Sequence, residues 1–233
     1  MILNNAMNRF EAFVKKLSKK ILNLNSDFDY IKYWEERYEQ DGNSGSGSYG
    51  ESAKYKASIV NGIVEKFSIK KVLEFGCGDG NQLGQYKFDE YLGLDISLKA
   101  IRMCENLFKD SINKKFKLID VQKDLLIERD YEMVICMEVL MHVTNENDFK
   151  WTLDQIFKHS KDFVLIQNPI STLNEYKLGS HENYRNLFPY LVKYLGDFSL
   201  TEVITHPSVT VDDRIAHRIG KCASDILIFR RKL

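Results

Sequence analysis

Between Lys71 and Gln167, short apolar runs alternate with stretches of helical spacing, and this alternation constrains the chain more than any other feature. The runs are VLEF, YLGLD (91–95), FKLID (116–120), MVICM (133–137) and FVLIQ (163–167); LKAIRMCENLFKD and ENDFKWTLDQIFKHS lie among them. Runs this short and apolar suit strands buried on both faces, and the intervening helices supply the crossovers that parallel strands need. Two later runs, SLTEVIT and SDILIFR, are separated by loop, which predicts an antiparallel hairpin closing an α/β sheet.

The residues ahead of the sheet read differently, and a boundary is expected near residue 67, with 1–66 a helical cap and 67–233 the sheet domain. Phe10, Phe13, Val14, Leu17, Ile21 and Leu24 recur at spacings of three and four, opposite Lys15, Lys16, Lys19 and Lys20. That is an amphipathic helix, able to pack on its own domain, on a second subunit in an oligomer, or peripherally on an anionic membrane. DYIKYWEERYEQ is a second helix, followed by the glycine-serine stretch NSGSGSYG. A third helix runs from Glu51 to Phe67, with Ala53, Ala57, Val60, Ile63 and Val64 available for burial.

Composition excludes several classes. The 33 basic and 33 acidic residues cancel, so the chain lacks the basic excess of a nucleic-acid binder. Cys77, Cys104, Cys136 and Cys222 form no CxxC, and neither a disulfide framework nor a zinc site is expected. Asn4, Asn5, Asn8 and Arg9 interrupt any leader-like apolar run, and no stretch reaches the roughly 18 apolar residues of a transmembrane segment. A cytoplasmic protein is the expectation.

The first strand ends in VLEFGCGDGNQL, where a doubly wound fold binds its ligand. Glycine permits a tight turn and lets a ligand approach the main chain. A dinucleotide-binding G-x-G-x-x-G would need glycine at 81, which is Asn81. The pattern is instead acid-x-G-x-G-x-G from Glu74, and an acid repels a pyrophosphate but suits a cationic amine. Asp95 closes the second strand, where a carboxylate can accept ribose hydroxyls. Asp120 closes the third, within reach of a base. The expected ligand has an amine, a ribose and a base without needing a diphosphate, a description that S-adenosylmethionine meets.

VLEFGCGDG, YLGLDIS and YEMVICMEVLMHV together resemble the successive motifs of class I S-adenosylmethionine-dependent methyltransferases. The resemblance covers Lys71 to about Gln167 and implies a Rossmann-like seven-stranded sheet with its last strand antiparallel and helices on both faces. It implies that Glu74, Gly76, Cys77 and Gly78 line the methionine part of the cofactor. Asp95 and Ile96 would hold the ribose, Asp120 and Val121 the adenine, and Met137 and Glu138 the floor beneath the sulfonium. The product would be S-adenosylhomocysteine.

Alignment for in-line displacement is the main requirement of methyl transfer from a sulfonium, with a base for a hydroxyl acceptor. No metal is called for, and no compact H-E-x-x-H ligand cluster is present. His142, in EVLMHV, and His181, in GSHENYRNLF, are the candidate bases. KYWEERYEQDGNSGSGSYG and HENYRNLF also resemble a bacterial subgroup met in capsule and surface-glycan biosynthesis, including methylation of a phosphoramidate decoration; Tyr184 stands where that subgroup has a second histidine. The Ser44–Gly50 loop could close over the cofactor, with the Ser48 hydroxyl on its carboxylate. Arg37, Tyr49, Lys56, Tyr184 and Arg185 are expected to bind a small anionic acceptor, Tyr49 doubling as a catalytic group. Oxygen is the favoured nucleophile and nitrogen the second. A nicotinamide-dependent oxidoreductase and a non-catalytic cofactor-binding protein are the other readings.

Overall fold

The computed structural model describes residues 28–123, 131–169, 175–179, 181–205 and 224–232. The expected N-terminal amphipathic helix, Cys222, His206 and His217 lie outside them. Nine strands are described: β1 (Lys71–Phe75), β2 (Glu90–Asp95), β3 (Lys114–Leu118), β4 (Tyr131–Met137), β5 (Ser160–Pro169), β6 (Glu175–Gly179), β7 (Glu182–Arg185), β8 (Phe198–Ile204) and β9 (Ser224–Arg231). Seven form one sheet in the order β3-β2-β1-β4-β5-β9-β8. β1 to β5 run parallel, and β9 runs antiparallel between β5 and β8. The expected Rossmann-like sheet with a closing hairpin is therefore present.

Strand alternation sends side chains to two cores, one per face. Leu73, Phe75, Val134, Cys136, Val164, Ile166, Leu227 and Phe229 pack on one side. Val72, Met133, Ile135, Leu165, Ile226 and Ile228 pack on the other. Five helices are described: α1 (Tyr30–Glu39), α2 (Gly50–Phe67), α3 (Leu98–Leu107), α4 (Glu146–Lys158) and α5 (Phe188–Leu191). Phe149, Leu153, Ile156 and Phe157 of α4 cover the first face; Ala57, Val60 and Val64 of α2 with Ile101 and Cys104 of α3 cover the second. α3 is capped twice. The Ser97 hydroxyl accepts from the Ala100 N–H, and Glu35 of α1 accepts from both the Ser97 hydroxyl and the Lys99 N–H.

Two expectations need correction. The third strand spans Lys114–Leu118, two residues before the expected FKLID. Leu118 pairs with Asp95, where β2 ends, and the Ile119 N–H donates the last bond to the Asp95 carbonyl, so the strand stops there. The β6–β7 hairpin was not expected at all, because HENYR is polar and shows no apolar alternation.

Candidate active site

The strand order reverses between β1 and β4, leaving a crevice at the carboxyl ends of the strands. A cavity of about 490 Å³ fills it, lined by the turn after β1, the ends of β2 and β4, and the 44–48 strap from the α1–α2 connection. Gly76 and Gly78 hold left-handed φ values of 78° and 56°. A Cβ on Gly76 would strike the Val139 side chain, and one on Gly78 would strike the Ser44 hydroxyl. The glycines are thus required for the turn and for its packing against the β4 end and the strap, and both line the cavity.

Three buried acids line this cavity, Glu74, Asp79 and Asp95, of which Asp79 is taken up by the strap. Glu74 is 3% exposed, and its Oε2 accepts from the Tyr91 hydroxyl of β2. Burial pushes its carboxyl up to about 7, against the opposing pull of that hydrogen bond and of Lys56. Asp95 is 7% exposed and accepts from the Gly78 N–H (2.9 Å) and the Ser97 N–H (2.9 Å). Burial raises it to about 6, with those backbone donors opposing. Gln82 also lines the cavity; its Nε2 donates to the Ala53 carbonyl, while its buried Oε1 has no partner among the described residues.

The strap is tied to the glycine turn chiefly through Asp79, which no motif in the sequence singles out. Asp79 Oδ2 accepts from the Ser44 N–H and the Tyr49 hydroxyl, each at 2.8 Å. The Ser44 hydroxyl accepts from the Asp79 N–H, and Asn81 donates to the Ser48 carbonyl. Tyr49 therefore faces Asp79 and does not line the cavity, which corrects its expected place beside the acceptor; burial and then Asp79 push its phenol up to about 12. Its hydroxyl closes the strap.

The other expected residues divide. Cys77, Ile96, Val121, Met137, Glu138 and Ser48 line the cavity with the glycines. Asp120 does not: with β3 ending at Leu118, Ile119 turns inward and Asp120 pairs with Lys123 at the surface. Arg37, Lys56, His142, His181 and Tyr184 line it as well. Arg37 donates to the Asn43 carbonyl and the Tyr33 hydroxyl and lies 5.3 Å over the Trp34 ring. Lys56, 1% exposed, pairs with Glu138 at 3.0 Å. Arg185 is the clearest correction. Its guanidinium is buried, donating to the Val143 and Thr144 carbonyls and to Glu146 while stacking 4.4 Å over Phe149, so it braces the start of α4 and does not reach the cavity.

The histidines meet although far apart in sequence. His142 Nδ1 lies 3.0 Å from the His181 carbonyl, and their rings stack 5.7 Å apart. A carbonyl only accepts, so the proton sits on Nδ1 and leaves Nε2 with its lone pair. Burial lowers the pKa of His142.

Residues 73–162 match the family model described as a methyltransferase domain. A hybrid PKS-NRPS synthetase, poxE, from Penicillium oxalicum is 25% identical over 141 residues. That match spans 56% of this chain but 3% of the synthetase. Among solved structures, the N-methyltransferase NodS from Bradyrhizobium japonicum WM9, in complex with S-adenosyl-L-homocysteine, superposes with a TM-score of 0.59 at 11% identity, covering 78% of this chain and 87% of NodS. Magnesium protoporphyrin IX methyltransferase from Synechocystis PCC 6803, with bound S-adenosylmethionine, gives 0.60 at 16% identity, covering 89% and 100%. These likenesses establish the fold.

Proposed function

We propose, from the premise of a class I S-adenosylmethionine-dependent methyltransferase domain, that this chain binds S-adenosylmethionine in the β1–β2–β4 cavity and methylates a small acceptor there. The observation that carries the reading is the acceptor-rich wall of that cavity. Glu74, Asp95 and Gln82 all line it, and the buried Gln82 Oε1 has no partner among the described residues. The Asp95 oxygens accept from the Gly78 and Ser97 amides, and a carboxylate has about four acceptor sites, leaving room for a ribose hydroxyl. Glu74 has Oε1 left for an ammonium. A diphosphate would meet two buried carboxylates, so a nicotinamide dinucleotide fits this wall poorly.

Bound S-adenosylmethionine supplies a methyl group on a sulfonium. The chain's own residues bind, align and exclude water. The Ser44–Ser48 strap lines the cavity, and its Ser48 hydroxyl would meet the amino-acid carboxylate. The Met137–Glu138 end of β4 forms the floor; Glu138 is fixed by Lys56 and by the Ser224 hydroxyl (3.2 Å). His142, held by the His181 carbonyl, presents an Nε2 that can take the acceptor's proton.

The acceptor proposed is anionic and oxygen-nucleophilic, a phosphorylated or nucleotide-linked surface-glycan precursor. Arg37 supports this: it lines the cavity, and among the described residues no carboxylate pairs with it. An amine acceptor is the second reading, supported by Glu182, whose carboxylate lines the same cavity. A cytoplasmic setting agrees with free Cys77, Cys104 and Cys136, and no helix of the described residues is long and apolar enough to cross a membrane.

Calorimetry with S-adenosylhomocysteine, beside fluorescence quenching by NADH, tests the cofactor. Tight binding of the first and none of the second is expected; the reverse result defeats the proposal. Product formation with a panel of phosphorylated and amino sugars then separates the two acceptor classes, and binding without turnover on any of them would favour a non-catalytic role.

A further inference from the structure

We propose that His142, His181 and Glu182 form a binding site for one divalent transition-metal cation at the acceptor end of the cavity. Each offers one ligand atom, and these atoms lie within 4.8 Å of one another. All three side chains line the cavity. His142 Nδ1 is 39 positions away in sequence from the carbonyl it meets, so no compact sequence motif announces the cluster.

Three features go beyond proximity. The Nδ1 bond of His142 to a backbone carbonyl is the outer contact that fixes a metal-binding imidazole, directing Nε2 as the ligand. His181 Nε2 and Glu182 Oε1 are 3.7 Å apart, close to the edge of about 3.4 Å expected between neighbouring ligands on a tetrahedral cation with bonds of about 2.1 Å. The imidazoles are also walled in: Tyr33 stacks on His181 at 5.0 Å, and Trp34 meets His142 edge-on at 5.0 Å. Rotamers held this way lose little further entropy when a cation arrives.

Two imidazoles and one carboxylate suit zinc, cobalt, iron or manganese rather than calcium, and three protein ligands leave positions open toward the cavity. Resting on the reading above, those open positions would take the acceptor's oxygen; His142 Nε2 is then a ligand and no longer the base, so the cation replaces it in activating the hydroxyl, whose proton passes to solvent in the cavity. Binding of the cation itself does not depend on that reading.

The test uses the untagged full chain, stripped with chelator and titrated with cobalt(II). Expected are saturating visible d–d bands of a four- or five-coordinate ion at one equivalent per chain, abolished by competing zinc(II). His181→Ala and Glu182→Gln should each weaken cobalt binding at least about a hundredfold while keeping the thermal unfolding transition. Absence of stoichiometric bands, or bands unchanged in both variants, overturns the site. If the His181→Ala substitution unfolds the hairpin, Glu182→Gln decides alone, since it keeps the shape of the side chain. S-adenosylhomocysteine calorimetry on the same preparation separates the two claims: failure of the cobalt titration with the cofactor still bound defeats only the metal site, and a successful cobalt titration with no cofactor binding defeats only the proposed function.

Discussion

Ser44 and Asp79 exchange two hydrogen bonds: the Ser44 N–H donates to Asp79 Oδ2 at 2.8 Å, and the Asp79 N–H donates to the Ser44 hydroxyl at 2.9 Å. One residue belongs to the strap and the other to the glycine turn, so this pair fastens the strap to the turn after β1. Tyr38 adds a third partner, its hydroxyl 3.1 Å from that of Ser44.

Asp79→Ala should release the strap. The carboxylate anchors both the Ser44 N–H and the Tyr49 hydroxyl, and charged hydrogen bonds contribute roughly 1.5–3 kcal/mol each. Amide exchange at residues 44–49 should quicken and S-adenosylhomocysteine affinity fall about tenfold. Unaltered exchange there would show that the strap does not depend on Asp79.

Gly78→Ala should destabilise the fold by more than about 1 kcal/mol, because the site has φ 56° and the new methyl meets the Ser44 hydroxyl. Urea unfolding reads the loss. Adding Ser44→Ala removes the closest clash but leaves the Ser44 Cβ and Tyr38 hydroxyl at 3.2 Å, the left-handed backbone and an unpaired Asp79 N–H, so the double variant should recover only partly. Full recovery would mean that the left-handed backbone carries no cost.

The pH profile of unfolding should follow Glu74. Its carboxyl lies near 7 when folded against about 4.5 when unfolded, so the folded chain binds the extra proton between these values. That contribution is complete below pH 4.5 and disappears as pH rises through 7, a change on the order of 3 kcal/mol. Glu74→Gln, uncharged and still able to accept from Tyr91, should flatten the slope and be the more stable protein at pH 8. Asp95, held near 6, retains the lower part of it. An identical slope in wild type and Gln variant would refute the assignment.

Asp95→Ala should weaken S-adenosylhomocysteine at least about tenfold, for a ribose contact of roughly 1–3 kcal/mol, and also lower stability by freeing the Gly78 and Ser97 amides. Asp95→Asn, which keeps one carbonyl acceptor, should lose less stability than Ala. Calorimetric affinity equal to wild type in both would remove Asp95 from the ribose site.

Arg185→Met should cost about 3–5 kcal/mol in thermal or urea unfolding, since it strips Val143, Thr144 and Glu146 of a buried donor. Cofactor affinity measured well below the new melting temperature should stay unchanged. A selective loss of acceptor affinity with normal stability would restore the anion-binding role.

The alternation of buried runs and helices was legible residue by residue, because a strand covered on both faces can tolerate little but apolar side chains and period sets which face each one meets. The turn VLEFGCGDG and the strand-ending Asp95 were legible for the same reason: local geometry at a strand end depends on neighbours in sequence. Asp120 was not, since its direction follows from where the ladder to β2 stops, a matter of register between distant segments.

What only the tertiary structure decided is which charges meet. Arg185 and His181 sit four residues apart on one hairpin, yet the first is consumed by the start of α4 and the second opens into the cavity. Lys56 finds Glu138 across 82 positions, and Asp79 finds Ser44 across 35. Hydrogen bonds and ion pairs act over about 3–4 Å of space, and sequence carries no measure of that distance once the chain has crossed the sheet.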